Sequence, residues 1–253
     1  AQYASLVQEV RRVQAWHCST QLTAYAGWVR RVNTGFQDGM SHEQLSDYFE
    51  ELRGYWKALL REGSPQAAQL MRSATDAQVA ELFRELERKN AEFRDNMVTQ
   101  PAEEVARNRA ERMSKEITRW TGDLNAQQRK AIVTWSERFL PTGEDWLDNR
   151  LRWQLQLREL LEVRRDAPDF DARFEELLIY PERGWAQGLR RKVEFNERET
   201  VQMLVAVGKA LNNAQRAKLA TRAEWIAGEF DDLACARESA PLAQQEQSVA
   251  IEQ

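Results

Sequence analysis

The chain has 253 residues, of which 42% are hydrophobic and 30% are charged, and its formal net charge is −4. This length suits one large helical domain or two small ones, and nine tryptophans supply ample apolar surface for a core. The acidic balance argues against nucleic acid as a ligand, because phosphate binding needs a concentrated basic surface.

Apolar residues recur at steps of three and four along the chain, which is typical of one face of an α-helix. The chain opens in this pattern, and NTGFQDGM at residues 33–40 ends the first helix. We predict that REGSPQ at residues 61–66 ends the second helix, because it combines glycine with proline. Pro101 in TQPAEE then predicts a helix start, and Gly122 in WTGD closes that helix.

Three later breakers, LPTGED, DAPDFD and YPERG, divide the second half of the chain. We therefore expect an all-α fold of about eight or nine helices in antiparallel hairpins, forming an extended helical bundle. No long linker interrupts the pattern, which predicts a single helical domain over residues 1–237. The periodicity is lost in the last residues, so 238–253 are predicted to form a disordered C-terminal tail.

Four predicted helix starts share one pattern, in which Ser, Thr or Asn is followed three residues later by Gln. Such a pair forms a capping box: the first side chain accepts a hydrogen bond from the later amide, and the Gln side chain accepts one from the earlier amide. The pairs are Ser41 with Gln44, Thr75 with Gln78, Asn125 with Gln128, and Asn212 with Gln215. By itself the pattern indicates helix starts rather than a binding site.

The two cysteines, Cys18 and Cys235, stand near opposite ends of the chain. They are either two unrelated buried thiols or a disulfide between the first and last helices, and a disulfide requires an oxidising compartment. Mass measurement after alkylation without reductant separates these alternatives, since a disulfide takes no label and free thiols take two.

The stricter form of the capping sequence, Leu-Asn-x-x-Gln, occurs at Leu124 and again at Leu211. It resembles the signature of LTxxQ-type periplasmic stress proteins, which are helical and include chaperones. This resemblance implies one alternative function, that of a periplasmic holdase chaperone acting on unfolded clients.

A longer resemblance covers residues 86–139, and AWHCSTQLTAYA at residues 15–26 extends it. The residues that carry it are Asn90, Glu92 and Phe93 in NAEF, Arg109, Glu111 and Arg112 in RAER, and Trp120, Gly122, Leu124 and Gln128 around RWTGDL. These segments are similar to a family of bacterial lipoproteins, domain-of-unknown-function family 6279. The resemblance implies a helical protein exported to the periplasm and anchored to the outer membrane by a lipid on a cysteine upstream of this chain.

The residues of NAEF and RAER also suggest a structural role. Arg109 and Arg112 are expected to pair with Glu92 on the preceding helix, which would make a polar clasp between two helices. Alternatively, these residues form an interaction surface, because guanidinium groups recognise carboxylates. Asn90, Phe93, Glu111 and Trp120 complete this set of candidates.

Motifs that carry familiar chemistry are missing from the sequence. The two histidines, His17 and His42, do not form HExxH, and no cluster of Cys and His predicts a zinc site. Neither a GxSxG elbow nor a phosphate-binding glycine loop occurs. We expect no catalytic residue, no cofactor and no metal, and an enzyme is the least favoured alternative.

Two further features favour binding. The helix predicted at residues 144–163 is apolar around much of its circumference, so it is either central or offers a second apolar face to a partner. Basic pairs such as Arg30–Arg31 are either solvated helix faces or a surface for an anionic partner. We expect a non-enzymatic cell-envelope lipoprotein that binds an envelope protein or client as a scaffold or assembly factor, through a groove lined by Trp and Arg.

Overall fold

The computed structural model describes the backbone of residues 2–238, and their side chains except those of residues 2–6, 8, 9 and 235–238. Within this range the chain is helical and has no strand, which confirms the predicted all-α class. The helices are α1 Gln2–Trp16, α2 Leu22–Asp38, α3 His42–Ser73, α4 Asp76–Met97, α5 Ala102–Thr121, α6 Ala126–Arg138, α7 Gly143–Glu162, α8 Phe170–Ile179, α9 Gln187–Lys209 and α10 Asn213–Glu238.

The number of helices agrees with the predicted eight or nine. α1 and α2 run into each other through one π-helical turn, His17–Gln21, so the described residues form nine continuous α-helical stretches. A short 3₁₀ turn, Pro181–Gly184, stands between α8 and α9. The predicted disordered tail lies outside the described residues from position 239 onward.

The chain divides into two compact units. Unit 1 comprises Ala1–Thr34 and Ala220–Gln253, and unit 2 comprises Gly35–Leu219. Helices α2 and α10 each contribute residues to both units. The single domain over residues 1–237 stays a prediction.

Unit 1 is held by contacts between α2 and α10. Their apolar cluster centres on small residues, of which Ala26 and Ala227 are completely buried. Arg30 forms a bidentate pair with Glu224, at 3.0 Å from Nε to Oε2 and 2.7 Å from Nη2 to Oε1. Arg30 also donates from Nη1 to Asp231 Oδ2 at 2.8 Å. One guanidinium therefore ties two acidic side chains of α10 to α2.

Unit 2 contains two apolar clusters. The first joins α3, α4, α7 and α8 through Ala68, Phe83, Leu157, Leu160, Leu161, Phe170 and Phe174. The second joins α5, α6 and α9 through Ile117, Leu124, Ile132, Trp135, Met203 and Val207. Two groups of helices thus have separate cores within one unit.

Each of the four capping sequences forms its capping box. At the start of α3 the Gln44 amide donates to Ser41 Oγ at 3.1 Å, and the Ser41 amide donates to Gln44 Oε1 at 3.0 Å. The same reciprocal bonds occur at the starts of α4, α6 and α10, between Thr75 and Gln78, Asn125 and Gln128, and Asn212 and Gln215. The sequence pattern therefore marks four real helix starts.

The two Leu-Asn-x-x-Gln copies differ from the other two boxes because their glutamines meet. Gln128 Nε2 donates to Gln215 Oε1 at 3.0 Å, and Gln215 Nε2 donates back to Gln128 Oε1 at 2.9 Å. Gln215 also donates to the Asp123 carbonyl at 2.7 Å, and Asn125 donates to the Ala210 carbonyl at 2.9 Å. Gln128 and Gln215 are 0% and 4% exposed. The side chains of Gln128 and Gln215 therefore each cap their own helix, α6 or α10, and also form hydrogen bonds at the start of the other helix.

The second helix does not end at residues 61–66, contrary to the prediction. α3 continues through Pro65 to Ser73. A proline inside a helix leaves the carbonyl four residues earlier without its usual amide donor. Here Ser64 Oγ donates to that carbonyl, on Arg61, at 3.2 Å, and Ser64 itself is buried. A local hydroxyl thus compensates for the missing N–H group, and the helix survives.

The turn between α6 and α7 lies directly against the end of α4. A Cβ atom on Gly143 would stand 2.2 Å from the Met97 carbonyl oxygen. Because that neighbour is backbone, no side-chain rotation makes room, and only glycine fits there. This contact fixes the start of α7 beside the end of α4.

We expect Gln128→Leu to lower the free energy of unfolding by about 3 kcal/mol, because it removes half of a capping box and leaves buried polar groups without partners. Gln44→Leu, at an exposed box, should cost less than about 1 kcal/mol. Adding Gln215→Leu to Gln128→Leu should cost less than the sum of the two single changes. Urea unfolding of the four variants measures this, and additive costs would contradict the reciprocal pair.

The bond from Arg30 lowers the pKa of Glu224 below its ordinary value of 4.5. Because the folded pKa is the lower one, the pair contributes stability above the ordinary value and loses it as pH falls through the folded pKa. In the variant Arg30→Gln the pKa of Glu224 should rise toward 4.5. Carboxyl NMR titration of the two proteins tests this, and an unchanged pKa would refute the pairing.

Candidate functional site

Unit 2 contains a half-open cavity of about 1160 Å³, which we call the unit 2 cavity. Its wall comes from α4, α5, α6, α7, α8 and α9, so both core groups contribute to it. Its large apolar lining residues are Leu86, Phe93, Met97, Val98, Val105, Phe139, Trp146, Trp153, Leu177 and Leu178. The polar residues in the wall include two arginines, Arg109 and Arg150.

Arg109 projects from α5 toward α6. Its guanidinium carbon lies 4.0 Å from the centre of the Phe139 ring, and its Nη1 donates to the Ser136 carbonyl at 3.1 Å. Ser136 Oγ in turn donates to the Ala106 carbonyl at 2.6 Å, so bonds run both ways between the two helices. Burial lowers the pKa of Arg109, and the nearby positive charge of Arg112 lowers it further. Arg109 is therefore a partly desolvated cation held in one orientation.

Arg150 is held in a similar way on α7. Its guanidinium carbon lies 5.3 Å from the centre of the Phe93 ring, and its Nε donates to Asn90 Oδ1 at 3.1 Å. Asn90 is only 5% exposed and exchanges two amide hydrogen bonds with Gln154, at 2.7 and 3.2 Å. The buried amide pair of Asn90 and Gln154 thus fixes the acceptor for Arg150.

The two arginines share a simple arrangement. Each lies over a phenylalanine ring and donates one described hydrogen bond, whereas a guanidinium has five N–H groups. Among the described side chains, none places a carboxylate within 4.0 Å of either guanidinium. Of the acidic residues in the wall, Asp145 is paired with Lys192 at 2.6 Å, and Glu137 and Glu144 are exposed. The cavity therefore presents two cations whose charge no described carboxylate neutralises.

The predicted clasp is not formed as expected. Glu92 pairs with Arg88, four residues earlier, and with Lys89, at 3.1 Å, on its own helix. Arg109 turns to α6 instead, and Arg112 is exposed on α5. Local partners satisfy Glu92 without ordering a second helix, so the pairing across helices is wrong.

The motif residues instead separate into two groups. Phe93 and Arg109 line the unit 2 cavity, and Asn90 supports Arg150 from behind its wall. Glu92 and Glu111 are exposed, and Trp120 is partly buried outside the cavity lining. NAEF and RAER therefore each contribute a residue to the same cavity but do not contact each other through the predicted clasp.

The predicted residues Cys18 and His17 belong to unit 1 and do not line the unit 2 cavity. Cys18 lies partly buried in the π-helical turn. The side chain of Cys235 lies outside the described residues, so the disulfide stays a prediction. The His17 ring centre lies 5.3 Å from that of Tyr25, which is an ordinary aromatic contact.

Sequence reasoning missed Arg150, Gln154 and Phe139. The available signal was the helix predicted at residues 144–163, which has apolar residues around much of its circumference. Leu157, Leu160 and Leu161 of that helix are buried in the first core, while Leu151 and Leu155 are 44% and 56% exposed. Its Trp153 donates from Nε1 to the Leu177 carbonyl at 2.9 Å and lines the cavity. α7 is thus central and also carries a second apolar face.

In the part of the chain that the structure describes, no group of three or more His, Cys, Asp or Glu residues is arranged to hold a metal ion. None of the described helices combines the length and the apolar character needed to cross a bilayer.

Comparison with known proteins gives one match. A protein-family model described as a family of unknown function, DUF6279, matches residues 1–190. All residues that line the unit 2 cavity except Lys192 lie within the matched range. No curated protein and no solved structure matches the chain.

Replacing Asn90 should loosen the wall of the cavity. Asn90→Ala removes the partner of Gln154 and the acceptor for Arg150, so we expect unfolding free energy to fall by about 2 kcal/mol. Asn96→Ala, on the same helix but exposed, should change it by less than about 0.5 kcal/mol. Thermal and urea unfolding compare them, and equal effects would contradict the role given to Asn90.

Proposed function

The chain belongs to the DUF6279 family, and we propose that it is a non-enzymatic binding protein of the cell envelope. In this proposal a segment of a partner protein occupies the unit 2 cavity. The observation that carries it is the lining of that cavity, where two tryptophans and two arginines surround a volume of about 1160 Å³.

The size and shape of the cavity are compatible with a chain segment. Its volume of about 1160 Å³ lies at the upper end of ligand pockets, which usually measure about 300–1,000 Å³, and it is half open, so a segment can enter without being fully enclosed. Tryptophan and arginine are also the side chains that contribute most strongly to binding at protein interfaces. A peptide segment would use both the apolar lining and the two cations.

The polar groups of the wall support binding rather than catalysis. Asp145 is engaged by Lys192, Ser136 Oγ donates to a backbone carbonyl, and Gln154 is bonded to Asn90. A nucleophile needs an adjacent base within hydrogen-bond reach. The Ser136 hydroxyl is directed instead to a carbonyl oxygen, which does not accept a proton in that role.

The location of the protein rests on the resemblance of its sequence to a lipoprotein family. We propose export to the periplasm and anchoring at the outer membrane by a lipid on a cysteine upstream of this chain. The partner is then an envelope protein, and the protein acts as its scaffold or assembly factor. A holdase chaperone for unfolded clients is the alternative that the LTxxQ-like sequences suggest.

Site-specific crosslinking in living cells tests this proposal. A photoreactive phenylalanine analogue replaces Val105, which lines the cavity, or Val133, which is 48% exposed on α6 and lies outside the lining. We expect one recurrent adduct from position 105 and none from position 133. Both variants are made in the natively exported full-length protein.

Other crosslinking results would favour the chaperone or refute the proposal. A broad set of adducts from position 105 that grows under protein-unfolding stress would favour the chaperone. Identical adducts from both positions, or none from position 105, would refute binding of a partner segment in the cavity.

A further inference from the structure

We propose that the segment bound in the unit 2 cavity carries a carboxylate between apolar residues, and that Arg109 and Arg150 bind this carboxylate. The inference rests on the proposed function, because it specifies the chemistry of the segment that the cavity receives. It identifies the occupant as an acidic, otherwise apolar stretch of a partner protein.

Charge complementarity favours an acidic occupant. Two partly buried guanidiniums line the same cavity, and burial removes part of their hydration. No described carboxylate lies within 4.0 Å of either of them. In most proteins a buried cation has a paired anion. An arriving carboxylate would supply that missing partner.

Both arginines are already held in a fixed orientation. Phe139 and the Ser136 carbonyl hold Arg109, while Phe93 and Asn90 hold Arg150. Stacking on a ring face leaves the edge of the planar guanidinium open, and that edge is the part that binds a carboxylate through two parallel hydrogen bonds. Because the side chains are already ordered, binding costs less rotamer entropy than it would for mobile surface arginines.

The remaining lining specifies what accompanies the carboxylate. Trp146, Trp153 and Leu177 offer apolar surface to the residues on either side of it. Glu137 and Glu144 are exposed acidic residues of the same wall, so they disfavour a densely acidic segment. One carboxylate within an apolar stretch fits this combination better than a polyanion does.

Peptide selection on the full chain tests the inference. A random dodecapeptide phage library is selected on the wild type, and the recovered peptides are synthesised. We expect them to carry Asp or Glu between apolar residues and to crosslink to the photoreactive group at position 105. Their affinity for the double variant Arg109→Gln, Arg150→Gln should fall about tenfold or more.

A matched variant controls for charge and folding. Arg112→Gln with Arg152→Gln changes the net charge by the same amount on the same two helices, but both residues are exposed and outside the cavity lining. This control should bind the peptides as the wild type does. Circular dichroism and melting of both double variants establish that they are folded before affinities are compared.

The outcomes separate the two proposals. Two results would refute the role of the carboxylate but leave the proposal of a segment-binding cavity intact. The first is peptides that crosslink at position 105 without an acidic preference, and the second is an equal loss of affinity in the control variant. No peptide crosslinked at position 105 would overturn the proposed function itself. Binding of phosphatidylglycerol vesicles by the wild type but not by the Arg109, Arg150 variant, with no peptide selected, would assign the arginines to a lipid instead.

Discussion

The reciprocal bond between Gln128 and Gln215 sets the geometry on which unit 2 depends. Both amides are buried, and a buried amide without partners destabilises a fold by an amount comparable to the whole effect of a typical mutation. Satisfying both requires the start of α6 to stand at one distance and one angle from the start of α10. α6 carries Ser136 and ends directly before Phe139, and these two residues are the contacts of Arg109. Hydrogen bonds located outside the cavity therefore align its wall.

The cavity gives the motifs NAEF and RAER a different structural role from the clasp that the sequence predicts. They lie on different helices, and their side chains do not bind each other. NAEF supplies the Phe93 ring and RAER supplies the Arg109 cation to the same half-open cavity, and Asn90 holds Arg150 on α7 through a hydrogen bond. The same side-chain pair, a guanidinium over phenylalanine, occurs on two walls built from four different helices. Of the residues that carry the family resemblance, Phe93 and Arg109 line the cavity, and Asn90 holds Arg150 in place.

The sequence predicted best what depends on near neighbours. Each capping box joins residues three apart, so its geometry follows from the pattern alone. Pro65 misled the prediction because a single hydroxyl, that of Ser64, replaces the missing donor. The predicted pairing of Glu92 with a second helix was wrong because Arg88, on the same helix, is its partner. The bond between Asn90 and Arg150 spans 60 residues, and nothing in either local pattern indicates it. Side chains that line a cavity from six helices are specified only by tertiary packing.

The close approach of Gly143 to the Met97 carbonyl has a mechanical consequence. Backbone meets backbone there, so the end of α4 and the start of α7 have no compressible layer of side chains between them. Any side chain at position 143 would have to displace the backbone of Met97, which lines the cavity together with Gly143. The shape of the cavity at this point is therefore set by main-chain atoms, which a change of rotamer cannot alter.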